Sequence, residues 1–222
     1  MNGATDLGPV LVFLAQLKEN NNRAWFEEHR AQYELARQRF EALVARLIAE
    51  FSSFEQLDGI EPKDCMMRIY RDIRFSKDKS PYRTNLGASI GPGGRKSSSL
   101  TYYFRIAPHG ETMLAGGLHE PTPDELYRFR KAIDEDAAAF RTVVGAPDFV
   151  HFYGAVGGDR LKTVPQGFDR DHPELYLLRL KQVLAMRNWQ DEDVLAPNFT
   201  SDVSAAAKAL KPFLDYLTAT VR

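Results

Sequence analysis

Cysteine is almost missing from this sequence, with Cys65 alone among 222 residues. A single thiol closes no intramolecular disulfide and no zinc cluster, which agrees with a reducing compartment. Cys65 is expected to pack as a small hydrophobe. Long apolar runs are missing too: near the start the longest, Val10 to Ala15, is six residues, against the roughly 20 needed to cross a bilayer. Lys18 follows that run and Asp6 precedes it, the reverse of a secretory leader. A cytoplasmic protein that meets no membrane is therefore expected. Neither sign of charge is in excess, since 29 Lys and Arg face 30 Asp and Glu for a net charge of -1. Internal repeats, low-complexity tracts and linkers are absent. What remains is ordinary globular material, 44% hydrophobic and 27% charged. A chain this long can bury about 70% of its unfolded surface, and one domain over residues 1–222 is expected.

The even charge balance hides a local excess. Residues 62–96 hold nine Lys or Arg against three acids, a surplus of six that leaves the rest of the chain acidic by seven. One basic segment in an acidic protein suits a local anion site better than a broad nucleic-acid coat.

Periodicity divides the chain into three. Phe26, Tyr33, Phe40, Val44, Leu47 and Phe51 recur at helical intervals, predicting one long amphipathic helix from about Arg23 to Phe51 with Asn20, Asn21 and Asn22 as capping residues. Arg30 and Arg37 fall on the same stripe, so their stems should cross the core side, and Arg30 should approach an acidic or phenolic partner. From about Met66 to Leu118 the texture changes to short runs bounded by Gly, Pro and Asn. This predicts strands over 66–72, 86–90, 101–107 and 112–118. Alternation then sets Arg68, Tyr70 and Asp72 on one face of the first strand, and Tyr103 with Arg105 on one face of the third. Thr122-Pro123-Asp124-Glu125 opens a helix to about Asp134, Asp171-His172-Pro173-Glu174 repeats that grammar before a helix over 175–186, and Thr200 or Ser201 opens a last one. The fold class is α+β, an antiparallel sheet over about 66–118 packed with a long N-terminal helix and several C-terminal helices.

The strongest chemical feature is the string RIYRDIRFSKDKSPYRT at residues 68–84. Arg68, Arg71, Arg74, Lys77, Lys79 and Arg83 lie within sixteen residues, partly paired by Asp72 and Asp78. Forked guanidinium groups and mobile ammonium groups together suit an oxyanion. Other motifs fail on context. Gly87-Ala88-Ser89-Ile90-Gly91 matches a nucleophile elbow as a string, but Pro92, Gly93 and Gly94 follow where a helix is required. Gly94-Arg95-Lys96-Ser97 sets Arg where a phosphate loop needs Gly. The five histidines are dispersed, and Asp169, Asp171 and His172 are explained by a turn and a cap, so neither metal nor cofactor is expected. His119, after Gly116-Gly117, is the acid-base candidate, because glycines admit close approach. Trp25 and Trp189 sit in apolar patterns and are expected in the core.

The 68–84 string, with WFEEHRAQYE at 25–34, YYFRIAPHGETMLAGGLHEPTPDELYRFRKAI at 102–133 and LKTVPQGFDRDHPELYLLRLK at 161–181, resembles the bacterial and fungal family called domain of unknown function 2461. The resemblance spans about Phe13 to Leu217 with the four blocks in family order. It implies a single-domain cytosolic protein and brings no activity with it.

Three functions are then expected in turn. The first is a domain binding or acting on an anionic small molecule, phosphorylated or carboxylated, in an Arg/Lys-rich pocket. Arg68, Arg71, Arg74 and Arg105 would hold the oxyanion, Tyr70 and Tyr103 would orient it, Lys77 and Lys79 would stand at the mouth, and Arg83 and Arg30 would complete the set. The second is a nucleic-acid-associated protein using the same segment. The third is a non-catalytic interaction module. The sequence sets no oligomeric state.

Overall fold

A computed structural model describes residues 6–97 and 100–221. The chain gathers into two compact units, one holding the chain to Leu114 with Asn188–Ala205, the other Ala115–Arg187 with Ala206–Arg222. Among the described residues, no helix is long and apolar enough to cross a membrane.

The first unit starts with α1 (Gly8–Glu19), whose apolar residues Val10, Phe13, Leu14 and Leu17 are buried. The predicted helix over 23–51 is instead two, α2 (Arg23–Glu28) and α3 (Arg30–Phe51). They part at His29, whose ring stacks on Trp25 at 4.1 Å while Nδ1 lies 2.8 Å from the Trp25 carbonyl. A side chain that takes up a helix carbonyl competes with continuation of the helix. The Asn22 side chain accepts the Trp25 N–H and caps α2 as expected. The core stripe of α3 is Ala36, Phe40, Leu43, Val44, Leu47, Ile48 and Phe51. Arg30 and Arg37 are exposed, which corrects the expectation that their stems cross the core.

After the short α4 (Pro62–Cys65) come β1 (Leu86–Ile90), a 3-10 turn at Gly94–Lys96, β2 (Tyr102–Ile106) and β3 (Thr112–Leu118). With a later strand β4 (Val183–Trp189) these make one sheet in the order β1-β2-β3-β4. β1 runs antiparallel to β2, pairing Gly87 with Arg105 and Ser89 with Tyr103. Period-2 alternation puts Leu86, Ala88, Ile90, Tyr102, Phe104 and Ile106 on the opposite face, all buried. Phe40 of α3 stacks on Phe104 at 6.2 Å and Phe51 meets Tyr102 edge-on at 5.3 Å. This packing of α3 against β1 and β2 holds the edge on which Met66 and Met67 pair.

In the second unit, α5 (Pro123–Glu135) starts on the predicted capping box: Thr122 Oγ1 accepts the Glu125 N–H, and Glu125 accepts the Thr122 N–H at 2.8 Å. α6 (Ala137–Val144), α7 (Pro147–Tyr153) and the short α8 (Leu175–Leu178) follow. The helix predicted over 175–186 stops after four residues and gives way to β4. The backbone of 179–181 pairs instead with 159–161, Leu161 N–H to Arg179 carbonyl and Lys181 N–H to Asp159 carbonyl, both 2.7 Å. Val183, Ala185 and Trp189 are buried while Met186 and Asn188 are exposed, strand alternation that helical end signals mask. α9 (Asp191–Leu195), which belongs to the first unit, and α10 (Phe199–Val221), which begins in it, come next. Phe213 of α10 packs with Phe140 at 6.2 Å and Phe149 at 5.5 Å.

Candidate functional site

The basic segment is not the strand the alternation predicts. Met66 bridges Ala88 and Met67 N–H reaches the Gly87 carbonyl, but the chain then turns away from the sheet and pairs with itself. Arg83 N–H donates to Ile69 carbonyl at 2.7 Å, Arg71 N–H donates to Pro81 carbonyl at 3.0 Å, and Tyr70 bridges Tyr82. The result is an irregular hairpin with residues 72–80 as its tip. Arg68 and Tyr70 therefore do not share a sheet face with Tyr103 and Arg105, because period-2 geometry holds only within a strand.

Two devices hold the hairpin. Asn21, in the turn before α2, donates Nδ2–H to the Tyr82 carbonyl at 2.9 Å and accepts the Tyr82 N–H at 3.1 Å, a side chain imitating a neighbouring strand. Tyr82 then stacks on Phe26 at 4.0 Å. At the tip, the Asp78 carboxylate accepts the Ser80 hydroxyl at 2.6 Å and the Ser80 N–H at 2.9 Å, and pairs with Arg71. Those donors pull the Asp78 carboxyl down to about 2, the Ser80 bonds contributing most.

Three clefts open along this hairpin, all in the first unit. The first, of about 340 Å³, is lined by Arg37, Lys63, Arg68 and Arg95 with Tyr33, Tyr70 and a lone carboxylate, Glu41. Among the described residues Arg68 has no hydrogen-bond or ion-pair partner. Arg37 has only long pairs, 3.7 Å to Glu34 and 3.9 Å to Glu41. Arg95 is fixed by the carbonyls of Lys63 and Met66. The second cleft, about 320 Å³, includes Arg23, Tyr70, Arg71 and Ile73. The third, about 390 Å³, includes Lys18, Arg71, Asp78 and Arg83.

The expected site residues separate accordingly. Arg68 and Tyr70 line the first cleft, Tyr70 and Arg71 the second, Arg71 and Arg83 the third. Arg74 is drawn onto Asp72, with its Nη2 at 2.6 Å, and Lys79 donates to the Ile73 carbonyl at 2.9 Å. Lys77 is exposed at the tip. Tyr103 lies against Gly87, and Arg105 Nε donates to the Glu111 carbonyl at 3.1 Å in the β2–β3 hairpin. Arg30 pairs with Glu27 at 3.1 Å and lines none of these clefts.

His119 stands exposed after β3. The glycines before it serve packing: a Cβ on Gly117 would come 2.1 Å from the Val183 carbonyl, and one on Gly116 would meet Leu210 and Leu214 at 2.9 Å. Ser89 lies within β1, bonded to Thr101 Oγ1 at 2.5 Å, not on an exposed elbow. Asp169 accepts the Asp171 N–H and His172 Nδ1 accepts the Glu174 N–H, and no three metal-ligating side chains gather among the described residues.

Lys63 and Arg95 lie in the basic stretch but outside the dense 68–84 string, and Arg37 shows itself only as a cation on an apolar stripe. Nothing in the local sequence marks them as neighbours of Arg68. The 3-10 turn brings Arg95 there, with Gly94 at φ 60 so close to Asp64 that a Cβ would stand 2.6 Å from its carbonyl oxygen.

The family described as conserved hypothetical protein (DUF2461) matches residues 9–216. The chain belongs to this family. No curated protein and no solved structure matches it. Every residue lining the three clefts falls inside the DUF2461 match.

Proposed function

We propose that this DUF2461 protein binds, or acts on, an anionic small molecule, phosphorylated or carboxylated, held in the first cleft. The observation that carries the reading is the charge of its lining: four cations to one carboxylate, with Arg68 lacking any partner among the described residues. Arg37 has Glu34 and Glu41 beside it and Lys63 has Glu61, so the charge left over is that of Arg68, which an oxyanion would satisfy. Arg95, anchored by two carbonyls, offers a pre-positioned fork, and Tyr33 and Tyr70 can donate to a second oxygen. Fixed donors of this kind stabilise charge that is bound or that develops in a reaction. The buried lone Cys65 supports a reducing compartment, and with it a cytoplasmic place for the protein.

Isothermal titration with phosphate monoesters and dicarboxylates tests the reading. Wild type is expected to bind one class, and Arg68→Ala to lose about 1–3 kcal/mol, the scale of a charge-assisted bond. Absence of binding heat from both classes would sink it.

A further inference from the structure

We propose that the protein also takes a single strand of nucleic acid, laid along the three clefts with phosphates on Arg68, Arg23 and Arg83 and bases against Tyr70 and Phe75. The inference rests on reading the first cleft as an oxyanion site and extends that site.

The clefts are contiguous. Tyr70 lines both the first and the second, while Arg71 and Tyr82 line both the second and the third. Each also holds one guanidinium with no hydrogen bond or ion pair among the described residues: Arg68, Arg23 and Arg83 in turn. A lone small anion has use for one such group. A series of three in adjoining clefts matches a ligand that repeats its charge, as a phosphodiester chain does. Each cleft also has one carboxylate, and each has a partner: Glu41 lies 3.9 Å from Arg37, Glu27 pairs with Arg30, and Asp78 is bonded to Ser80 and Arg71.

Aromatic exposure selects the class of polyanion. Tyr70 is 53% exposed, and Phe75, two residues past the second-cleft residue Ile73, is 95% exposed with the Arg74 guanidinium 5.8 Å from its ring centre. A bare phenyl ring set among cations gains nothing from inorganic polyphosphate or an acidic peptide. It does offer a stacking surface to an unpaired base, a contact every base can make. A duplex keeps its bases stacked inside and leaves both rings unused. The acidic remainder of the chain opposes a wider footprint.

The test is fluorescence anisotropy with labelled oligo(dT) and oligo(U) of about twelve nucleotides, a duplex of equal length, and UMP followed by titration calorimetry, over a range of salt. Single strands are expected to bind tightest, with log K falling against log salt at a slope of about -2 for three phosphates. Arg23→Ala and Arg83→Ala should each weaken the oligonucleotide about tenfold and flatten that slope by about 0.7. Phe75→Ala should weaken it several-fold, while Phe75→Trp, which keeps an aromatic face, should not. UMP binding with no gain for the oligonucleotide overturns this proposal and leaves the small-anion reading standing. Failure of the oligonucleotides overturns this proposal whatever UMP does, and the small-anion reading falls only if phosphate monoesters and dicarboxylates fail as well. Equal affinity for duplex, or sedimentation with phosphatidylserine vesicles that Phe75→Ala abolishes while oligonucleotides stay unbound, overturns the single-strand assignment. Circular dichroism of each variant separates a lost contact from a lost fold.

Discussion

Asp78 shows how a charged tip can be ordered without a core beneath it. The carboxylate gathers two donors from Ser80 and one from Arg71, so its folded pKa falls to about 2 from 3.8. A depressed carboxyl stabilises the fold fully above its unfolded value and loses that contribution as pH falls through the folded one. The tip should therefore hold its form across neutral pH and loosen only in strong acid. A carbon NMR titration of Asp78 is expected to give a midpoint near 2, and a midpoint near 4 would mean that these bonds are not made in solution. At this scale the basic string is readable as charge but not as geometry. Asp72 and Asp78 are visible as neutralisers, yet it is the folded loop that consumes Arg74 and Lys79 while leaving Arg68 over. Pairing depends on backbone torsions that a string of Lys and Arg does not encode.

Elements with strong local grammar are readable; those shaped by distant partners are not. β1 and β3 coincide with the predicted spans of 86–90 and 112–118, and α5 begins on its capping box. α1 has no counterpart among the sequence expectations, since its short apolar run lacks a cap. β4 is hidden because Pro173-Glu174 reads as a helix start, while the pairing of 179–181 with 159–161 lies outside any local window. Gly117 marks where packing outranks propensity. It has φ 124, and a Cβ would come 2.1 Å from the Val183 carbonyl. Gly117→Ala is expected to destabilise the protein by roughly 3 kcal/mol, as strained backbone and a buried clash combine. Gly116→Ala, which meets only the flexible tips of Leu210 and Leu214, should cost clearly less. Urea denaturation of the pair checks the order, and equal losses would show that those leucines cannot yield.

For the whole molecule, charge distribution matters more than charge sum. The chain is net -1 with an isoelectric point near 6.5, so above pH 7 a uniform particle of this composition would ignore a polyanion. The three clefts bring together cations from α1, α2, α3, the α4 turn, the hairpin and the 3-10 turn, well beyond the basic stretch that the sequence displays. Retention on immobilised heparin at pH 7.5 is therefore expected, with the triple Arg23→Ala, Arg68→Ala, Arg83→Ala variant eluting at distinctly lower salt. Coelution of the two would deny these guanidinium groups a joint field.

The lone thiol gives the first cleft a built-in clock. Cys65 is fully buried between Lys63 and Met66, both of which line that cleft, and burial pushes its thiol up to about 11. Neutral and shielded, it reacts with an alkylating reagent only when α4 lifts away. Its modification rate in the native protein therefore measures how often the cleft comes apart. A ligand that grips the closed form slows that rate in proportion to its occupancy. Unlabelled compounds can then be screened by mass spectrometry against a side chain that touches none of them.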